Sequence, residues 1–401
     1  MLSARSASVI RATLPVVGAA LDEITDRFYR RLFDAHPELL RDLFNRGNQA
    51  NGEQRQALAG SIAAFARALT DPDAPGVSGA RDLMITRIAH KHASLGVTPD
   101  QYEIVHRHLF AAIAEVLGDA VTPEVAGAWD EVYWLMAKTL IAAEERLYQE
   151  ADAPQGAVWR EMAVAERRQE TPDTVSFTLR PLDGRPAGPF RPGQYISVQS
   201  HLPDGARQIR QYSLSAAPDP VHWRITVRHQ QDGPVSGEVS GWLHRQVRQG
   251  DVLTVSAPFG DLVLPEGDGP LLLASAGVGL TPMLAMLGRL VEDDSKREII
   301  VVHADRDPDR HAHREEQRRL VEALPEARLH LWYEQPDQRV PEASAGRVDL
   351  GTLALPEGLT ACLCGPLPFL RALRGDLLRL GVPAAAIHYE VFGPDLWIAR
   401  G

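Results

Sequence analysis

Residues 88–102 read IAHKHASLGVTPDQY, and the register of this stretch decides how the first third of the chain folds. At 100° per residue, Ile85, Ile88, Ala89 and His92 share one helix face, and His90 lies roughly 160° from His92. His92 is therefore expected to point at the core and His90 at solvent. The segment Thr98-Pro99-Asp100-Gln101 then opens a new helix, with an N-cap threonine, a proline at the first helical position and a capping-box glutamine. Tyr102, Val105, Leu109, Ile113 and Val116 follow on one face, which places Tyr102 on the core side shortly after His92. A lone histidine on an apolar face is more often a satisfied core residue than a ligand, so its neighbours must decide.

The same periodicity extends over residues 1 to about 150. Leu21, Ile24, Phe28 and Leu32 form one stripe, and Leu58, Ile62, Phe65 and Leu69 another, with Gln54 at its head. A last helix runs from about 123 to 149. Its stripe of Trp129, Tyr133, Met136 and Leu140 continues into Glu144, a carboxylate where an apolar residue belongs. Burying it unpaired would cost several kcal/mol. The alternative is a glutamate in a C-terminal turn that reaches water.

Ala151-Asp152-Ala153-Pro154-Gln155-Gly156 reads as a linker. From Trp159 to about Pro265, short strands such as TVSFTLRPL, QYISVQS, HWRITVRH and DVLTVSAP alternate with Gly/Pro turns, the pattern of an antiparallel barrel or sandwich. From Gly269 onward, apolar strand cores LLLASA, IIVVHA, LHLWYE and TACLCG are separated by turns and helical stretches, the pattern of an α/β parallel sheet. The expected architecture is multidomain, with domains at 1–150, 157–265 and 266–401.

The 401 residues carry a net charge of −11, which argues against a nucleic-acid or anionic-membrane partner. No signal-peptide pattern and no apolar run of about 18 residues is present, so neither secretion nor a membrane span is expected. Cys362 and Cys364 are the only cysteines. Two apart on a strand, they point to opposite faces and do not suit a bridge, which fits a reducing cytoplasm.

Arg210-Gln211-Tyr212-Ser213 carries groups suited to a flavin nucleotide: a cation for phosphate, an aromatic for the ring and a hydroxyl for a ring nitrogen. An exposed strand with a chance match is the alternative. Phe190-Arg191-Pro192-Gly193-Gln194-Tyr195 upstream, and Gly237-Glu238-Val239-Ser240 and Gly260-Asp261 downstream, add weight. This ordered set resembles the ferredoxin–NADP reductase superfamily, whose barrel binds FAD. Gly277-Val278-Gly279-Leu280-Thr281-Pro282 follows LLLASA and opens a helix, where glycines admit a pyrophosphate to a helix N-terminus and Thr281 reads as the N-cap.

FYRRLF around Tyr29, LFNRGNQANGEQRQAL over residues 43–58 and IAHKHASLGVTPDQY resemble the flavohaemoglobin family, a globin fused to a reductase. Cys362-Leu363-Cys364-Gly365-Pro366 and Tyr389-Glu390-Val391-Phe392-Gly393-Pro394 resemble the family's nicotinamide and C-terminal elements. The resemblance implies an all-α globin with haem b, an antiparallel β-barrel FAD domain and an α/β NAD(P)-binding domain. His92 would be the proximal iron ligand, supported by Tyr102 and Glu144. Tyr29, Gln54 and Leu58 would line the distal pocket, with Phe44 wedged against the haem. A carboxylate on the proximal imidazole makes it a stronger donor and favours oxygen activation.

By the same resemblance, Phe190, Arg210, Gln211, Tyr212, Ser213, Gly237, Val239, Ser240, Val391, Phe392, Gly393 and Pro394 would hold FAD. Gly277 to Pro282, with Cys364, Gly365 and Pro366, would hold NADH or NADPH. Cys364 reads as a packing residue rather than a nucleophile. Lys91 and Glu390 would tune the redox potentials. Phe190 stands where the family often has tyrosine, and Leu280 where it often has glutamine. The implied activity is that of a monomeric nitric oxide dioxygenase: NAD(P)H reduces FAD, FAD reduces haem, and oxygen and nitric oxide become nitrate. An alternative oxidant, such as a hydroperoxide or ferric iron, and a non-enzymatic oxygen sensor are the rival readings. Arg306 and Arg310, after the second strand of the nucleotide domain, suit either a 2′-phosphate or solvent.

Overall fold

A computed structural model describes residues 2–50, 52–71, 77–230, 237–338 and 340–393. Their packing divides into two compact units, one built on residues 1–159 together with 201–209, the other on residues 160–200 and 210–392.

The first unit is helical: α1 (Ala4–Ala35), α2 (Pro37–Asp42), α3 (Arg46–Ala50), α4 (Glu53–Thr70), α5 (Val77–Leu95), α6 (Pro99–Leu117) and α7 (Pro123–Glu150). Leu21, Ile24, Phe28 and Leu32 are buried along α1, as their spacing predicts, and meet Phe65, Leu109, Ile113, Trp129 and Leu140 in one core. The start of α6 carries the expected capping box: the Gln101 side chain accepts the Thr98 N–H at 3.1 Å. One expectation fails. His90 is half-buried rather than open to solvent, so burial does not separate it from His92, which is also half-buried. A helix flanked on two sides hides more than its apolar stripe.

The second unit holds two six-stranded sheets. The first contains β1 (Trp159–Thr171), β2 (Thr174–Pro181), β3 (Tyr195–His201), β4 (Arg207–Ser213), β5 (Trp223–Arg228) and β6 (Val252–Ser256), with α8 (Glu238–Gln246) beside it. The strand order is β4-β3-β6-β1-β2-β5. An antiparallel bridge from Leu214 to Ile225 brings the two edges together, which makes the sheet a barrel. Met162, Phe177, Ile196, Leu214 and Ile225 fill it.

The second sheet contains β7 (Leu271–Ala276), β8 (Ile299–Asp305), β9 (Ala327–Tyr333), β10 (Ser344–Ala345), β11 (Thr360–Cys364) and β12 (Ile387–Glu390). Its helices are α9 (Leu280–Glu292), α10 (Arg314–Glu322) and α11 (Leu367–Arg379). Every described pairing in it is parallel, in the order β10-β9-β8-β7-β11-β12. Strand order reverses between β7 and β11, and the carboxyl ends of strands at such a switch point form the usual ligand crevice. Both cysteines are free and fully buried. Burial pushes the Cys362 thiol up to about 12 and Cys364 well above its ordinary value, which suits packing residues and not nucleophiles.

Candidate functional site

On α5, α6 and α7 the sequence stripes converge on one carboxylate. Glu144 is 2% exposed, so its charge requires partners. One of its oxygens, Oε1, accepts from the Tyr102 hydroxyl at 2.5 Å and lies 2.8 Å from His92 Nδ1. Tyr102 also lies 3.0 Å from His92 Nδ1. Burial and the adjacent Glu144 charge push the Tyr102 phenol far above its ordinary value, so it stays protonated and donates. With Nδ1 facing a carboxylate, the imidazole carries its proton there and leaves Nε2 as a lone pair. His92 Nε2 has no hydrogen-bond partner among the described residues, while about a third of the side chain is exposed. Two further bonds fix the frame: Tyr133 donates to the Tyr102 carbonyl at 2.5 Å, and Tyr148 to the Val97 carbonyl at 2.7 Å.

A second cluster forms where α1 meets the α2–α4 corner. Tyr29 is 5% exposed. Its ring lies edge-on to Phe44, at 5.9 Å between centroids, and Phe44 lies edge-on to Phe33 at 5.3 Å. Burial holds the Tyr29 phenol well above its ordinary value, against smaller lowering contributions from Gln54 and Gln49. A phenol raised in this way stays protonated and can donate. Leu58 is half-buried against the same core. Gln49 was not singled out from sequence, because α3, five residues long, is too short for a periodic pattern.

On the barrel, Ser213 is 3% exposed and its Oγ is buried with no hydrogen-bond partner among the described residues. Tyr212 and Arg210 are half-buried on the same strand, and Gln211 is held by a 2.9 Å bond to Ser197 Oγ. Gly237 caps α8, and Ser240 Oγ donates to its carbonyl at 3.2 Å. Phe190 and Val239 are buried in the barrel core, so their side chains serve packing there.

The switch point brings the glycine turn against the end of β11. A Cβ on Gly279 would lie 2.4 Å from the Cys364 carbonyl oxygen and 2.8 Å from the Gly365 nitrogen, so only glycine fits. Gly277 and Val278 complete the tight turn before α9, and Pro366 caps α11. The expected role of Thr281 is corrected here. The turn winds directly into α9 at Leu280, so Gly279 is the N-cap, and Thr281 Oγ1 donates to the Val278 carbonyl at 3.0 Å. Pro282 then sits inside the first turn, and Leu280 is 2% exposed. Beyond β8, Arg310 pairs with Asp173 at 3.0 Å.

Lys91 is exposed and Glu390 half-buried, each within its own unit. Val391 is half-buried, and Phe392 and Gly393 follow it exposed; Pro394 lies outside the described residues.

Comparison with known proteins agrees with both units. Residues 26–140 match the globin family model, and residues 273–375 match the oxidoreductase NAD-binding domain model. The flavohemoprotein of Chromobacterium violaceum is 43% identical, with 98% of each chain covered. That of Rhizobium meliloti is 39% identical, covering 99% of this chain and 100% of its own. Among solved structures, the flavohemoglobin of Malassezia yamatoensis with bound FAD and heme aligns at a TM-score of 0.88 and 36% identity, over 98% of this chain and 100% of that one. The FAD/NAD-binding domain of the Vibrio cholerae nitric oxide dioxygenase aligns at 0.56 and 36% identity, over 59% of this chain and 99% of its own. With such identity along its whole length, the chain belongs to the flavohemoprotein family.

Proposed function

We propose that this chain is a nitric oxide dioxygenase that binds haem through His92, FAD through Arg210, Tyr212 and Ser213, and NADH at the Gly277–Gly279 turn. The observation that carries the haem assignment is the fixed imidazole: Nδ1 held by buried Glu144 and Tyr102, Nε2 without a partner among the described residues. When bound, haem supplies the oxygen chemistry and FAD converts a hydride into single electrons. The residues present fit both groups. Glu144 sets the His92 tautomer and strengthens its donation. Tyr29, buried and protonated, offers a neutral O–H donor on an otherwise aromatic and apolar side, suited to a developing negative charge. The orphaned Ser213 hydroxyl suits a ring nitrogen of the flavin.

The donor is NADH on electrostatic grounds. Arg310 is engaged by Asp173, and the cavity after β8, about 590 Å³, is lined among the described residues by Asp173, Asp307, Asp309 and Asp337 against the single cation Arg310, a net negative lining that disfavours a 2′-phosphate.

Rapid mixing of NADH-reduced protein with oxygen and nitric oxide tests the activity. Nitrate should form stoichiometrically with nitric oxide consumed, and kcat/KM for NADH should exceed that for NADPH. Nitric oxide consumption that does not depend on oxygen would refute the dioxygenase assignment.

A further inference from the structure

The polar side chains buried in the helical unit sort into two kinds. Thr25, Ser61, Thr70 and Ser94 return a hydroxyl to a carbonyl of their own helix, a local and undemanding arrangement. Glu144 and Gln208 instead bond to other elements. Glu144 serves His92. Gln208, fully buried, belongs to the hairpin 201–209 that packs with the helices, and its side chain serves the corner between α2 and α3.

The last carbonyls of a helix lack intrahelical partners. At the end of α2, the Gln208 amide nitrogen lies 3.3 Å from the Leu40 oxygen, 3.0 Å from Arg41 and 3.2 Å from Phe44. Its oxygen accepts the N–H of Arg46, the first residue of α3, at 3.2 Å. One side chain thus closes the end of one helix and the start of the next. Two outer ties hold the same corner: Asp42 accepts the Arg207 N–H at 3.1 Å, and Arg46 pairs with Asp204 at 2.7 Å. The corner carries Phe44, whose ring meets Tyr29 edge-on, and leads into α3.

We propose that Gln208 is a positioning residue for the distal side of the haem site: it fixes Phe44, and through it Tyr29. This rests on the reading that Tyr29 and Phe44 face the haem. The residue lies near the start of β4.

The test is Gln208→Glu in the full chain. It keeps the shape and the acceptor for Arg46, but above the carboxyl's pKa it removes the donors to three carbonyls and adds repulsion. The readouts are haem release to excess apomyoglobin and oxygen release after flash photolysis, with flavin content as the check on folding. Both rates should rise roughly 10-fold, the equivalent of about 1.4 kcal/mol. The effect should shrink at low pH as the carboxyl regains a proton. Gln208→Met, apolar and of similar length, should behave like the glutamate variant without the pH dependence, and decides the matter if Gln208→Glu does not fold. Unchanged release rates in a folded variant, or a lower melting temperature with unchanged rates, would overturn the positioning role. His92→Ala separates the two levels of the argument. If it abolishes haem binding while the Gln208 variants release haem normally, only the Gln208 role fails. If His92→Ala retains haem with an unaltered spectrum, the haem assignment fails, and the Gln208 role with it.

Discussion

Replacing Glu144 probes the proximal side most directly. Two donors meet on its Oε1, at 2.5 Å from Tyr102 and 2.8 Å from His92 Nδ1, and the group is 2% exposed. Glu144→Gln keeps an oxygen acceptor and the volume but removes the charge. Hydrogen bonds to a charged group are worth about 1.5–3 kcal/mol and neutral ones about 0.5–1.5, so each bond loses roughly 1 kcal/mol. Glu144→Ala additionally strands the buried Tyr102 hydroxyl and opens a cavity, which brings the cost to about 2–4 kcal/mol. In the haem-loaded chain the charge loss has a second signature. An anion behind the imidazole favours the ferric state, so its removal should raise the one-electron potential. A differential interaction of about 1.4 kcal/mol corresponds to roughly 60 mV for one electron. Spectroelectrochemical titration of the Soret band measures this, and resonance Raman of the reduced protein should show a lower iron–histidine stretching frequency. If Glu144→Gln leaves both the potential and that band unchanged, the carboxylate is a packing feature and the tautomer argument is wrong.

Tyr29→Phe should retain haem, flavin and NADH-driven reduction but release oxygen roughly 10- to 100-fold faster, since one hydrogen bond of about 1.5–3 kcal/mol is lost; equal off-rates by flash photolysis would remove the hydroxyl from the reaction. Gly279→Ala forces a methyl against the Cys364 carbonyl oxygen, a clash worth about 1–3 kcal/mol, and should slow flavin reduction by NADH while leaving the haem spectrum intact. An unchanged melting temperature and reduction rate would show that the turn is looser than its geometry implies. Glu316 is raised by burial, but His313 and Arg224 outweigh this and hold it at about 2, below its ordinary value of 4.5. A depressed carboxylate stabilises the fold above its unfolded pKa, and the stabilisation is lost as pH falls from about 4.5 toward 2. Glu316→Gln should therefore melt lower than the parent chain at pH 7, with the gap closing toward pH 2; a gap independent of pH would contradict the ion-pair account.

The proximal triad was legible because all three residues lie on helices with long apolar stripes, where a polar residue at a core position stands out. Spacing chose His92 over His90; burial does not separate them, since both are half-buried, and the choice is carried by Nδ1 of His92 meeting a carboxylate 52 positions away. The glycine turn was legible as a turn but not in its helix start. A 3₁₀ turn leading straight into α9 moves the cap to Gly279, and no residue type announces that. Gln49 and Gln208 were invisible for a different reason. Gln49 sits in a five-residue helix, and Gln208, though on the strand β4, has its partners 162 to 168 positions away. Periodicity reports which face of an element is apolar; it carries no information about an amide that closes another element's end.

The atoms left uncommitted are as informative as those that are paired. His92 Nε2 faces no partner among the described residues, Ser213 Oγ is buried without one, and the turn at Gly279 omits a side chain where backbone approaches backbone. The last two work against stability. A stranded buried hydroxyl costs about 1–3 kcal/mol, and glycine adds unfolded-state entropy. Sequences that satisfy local rules elsewhere break them where a ligand completes the structure. Here the three breaks fall on three different frameworks: a helix face, a barrel strand and the switch point of a parallel sheet. Each framework offers what one redox group needs, an imidazole lone pair, a polar contact for a ring nitrogen, and backbone N–H groups beside a helix start. A sensor would need only the first. The presence of all three in one chain is what favours an enzyme that carries electrons from a nicotinamide to an oxygen-binding centre.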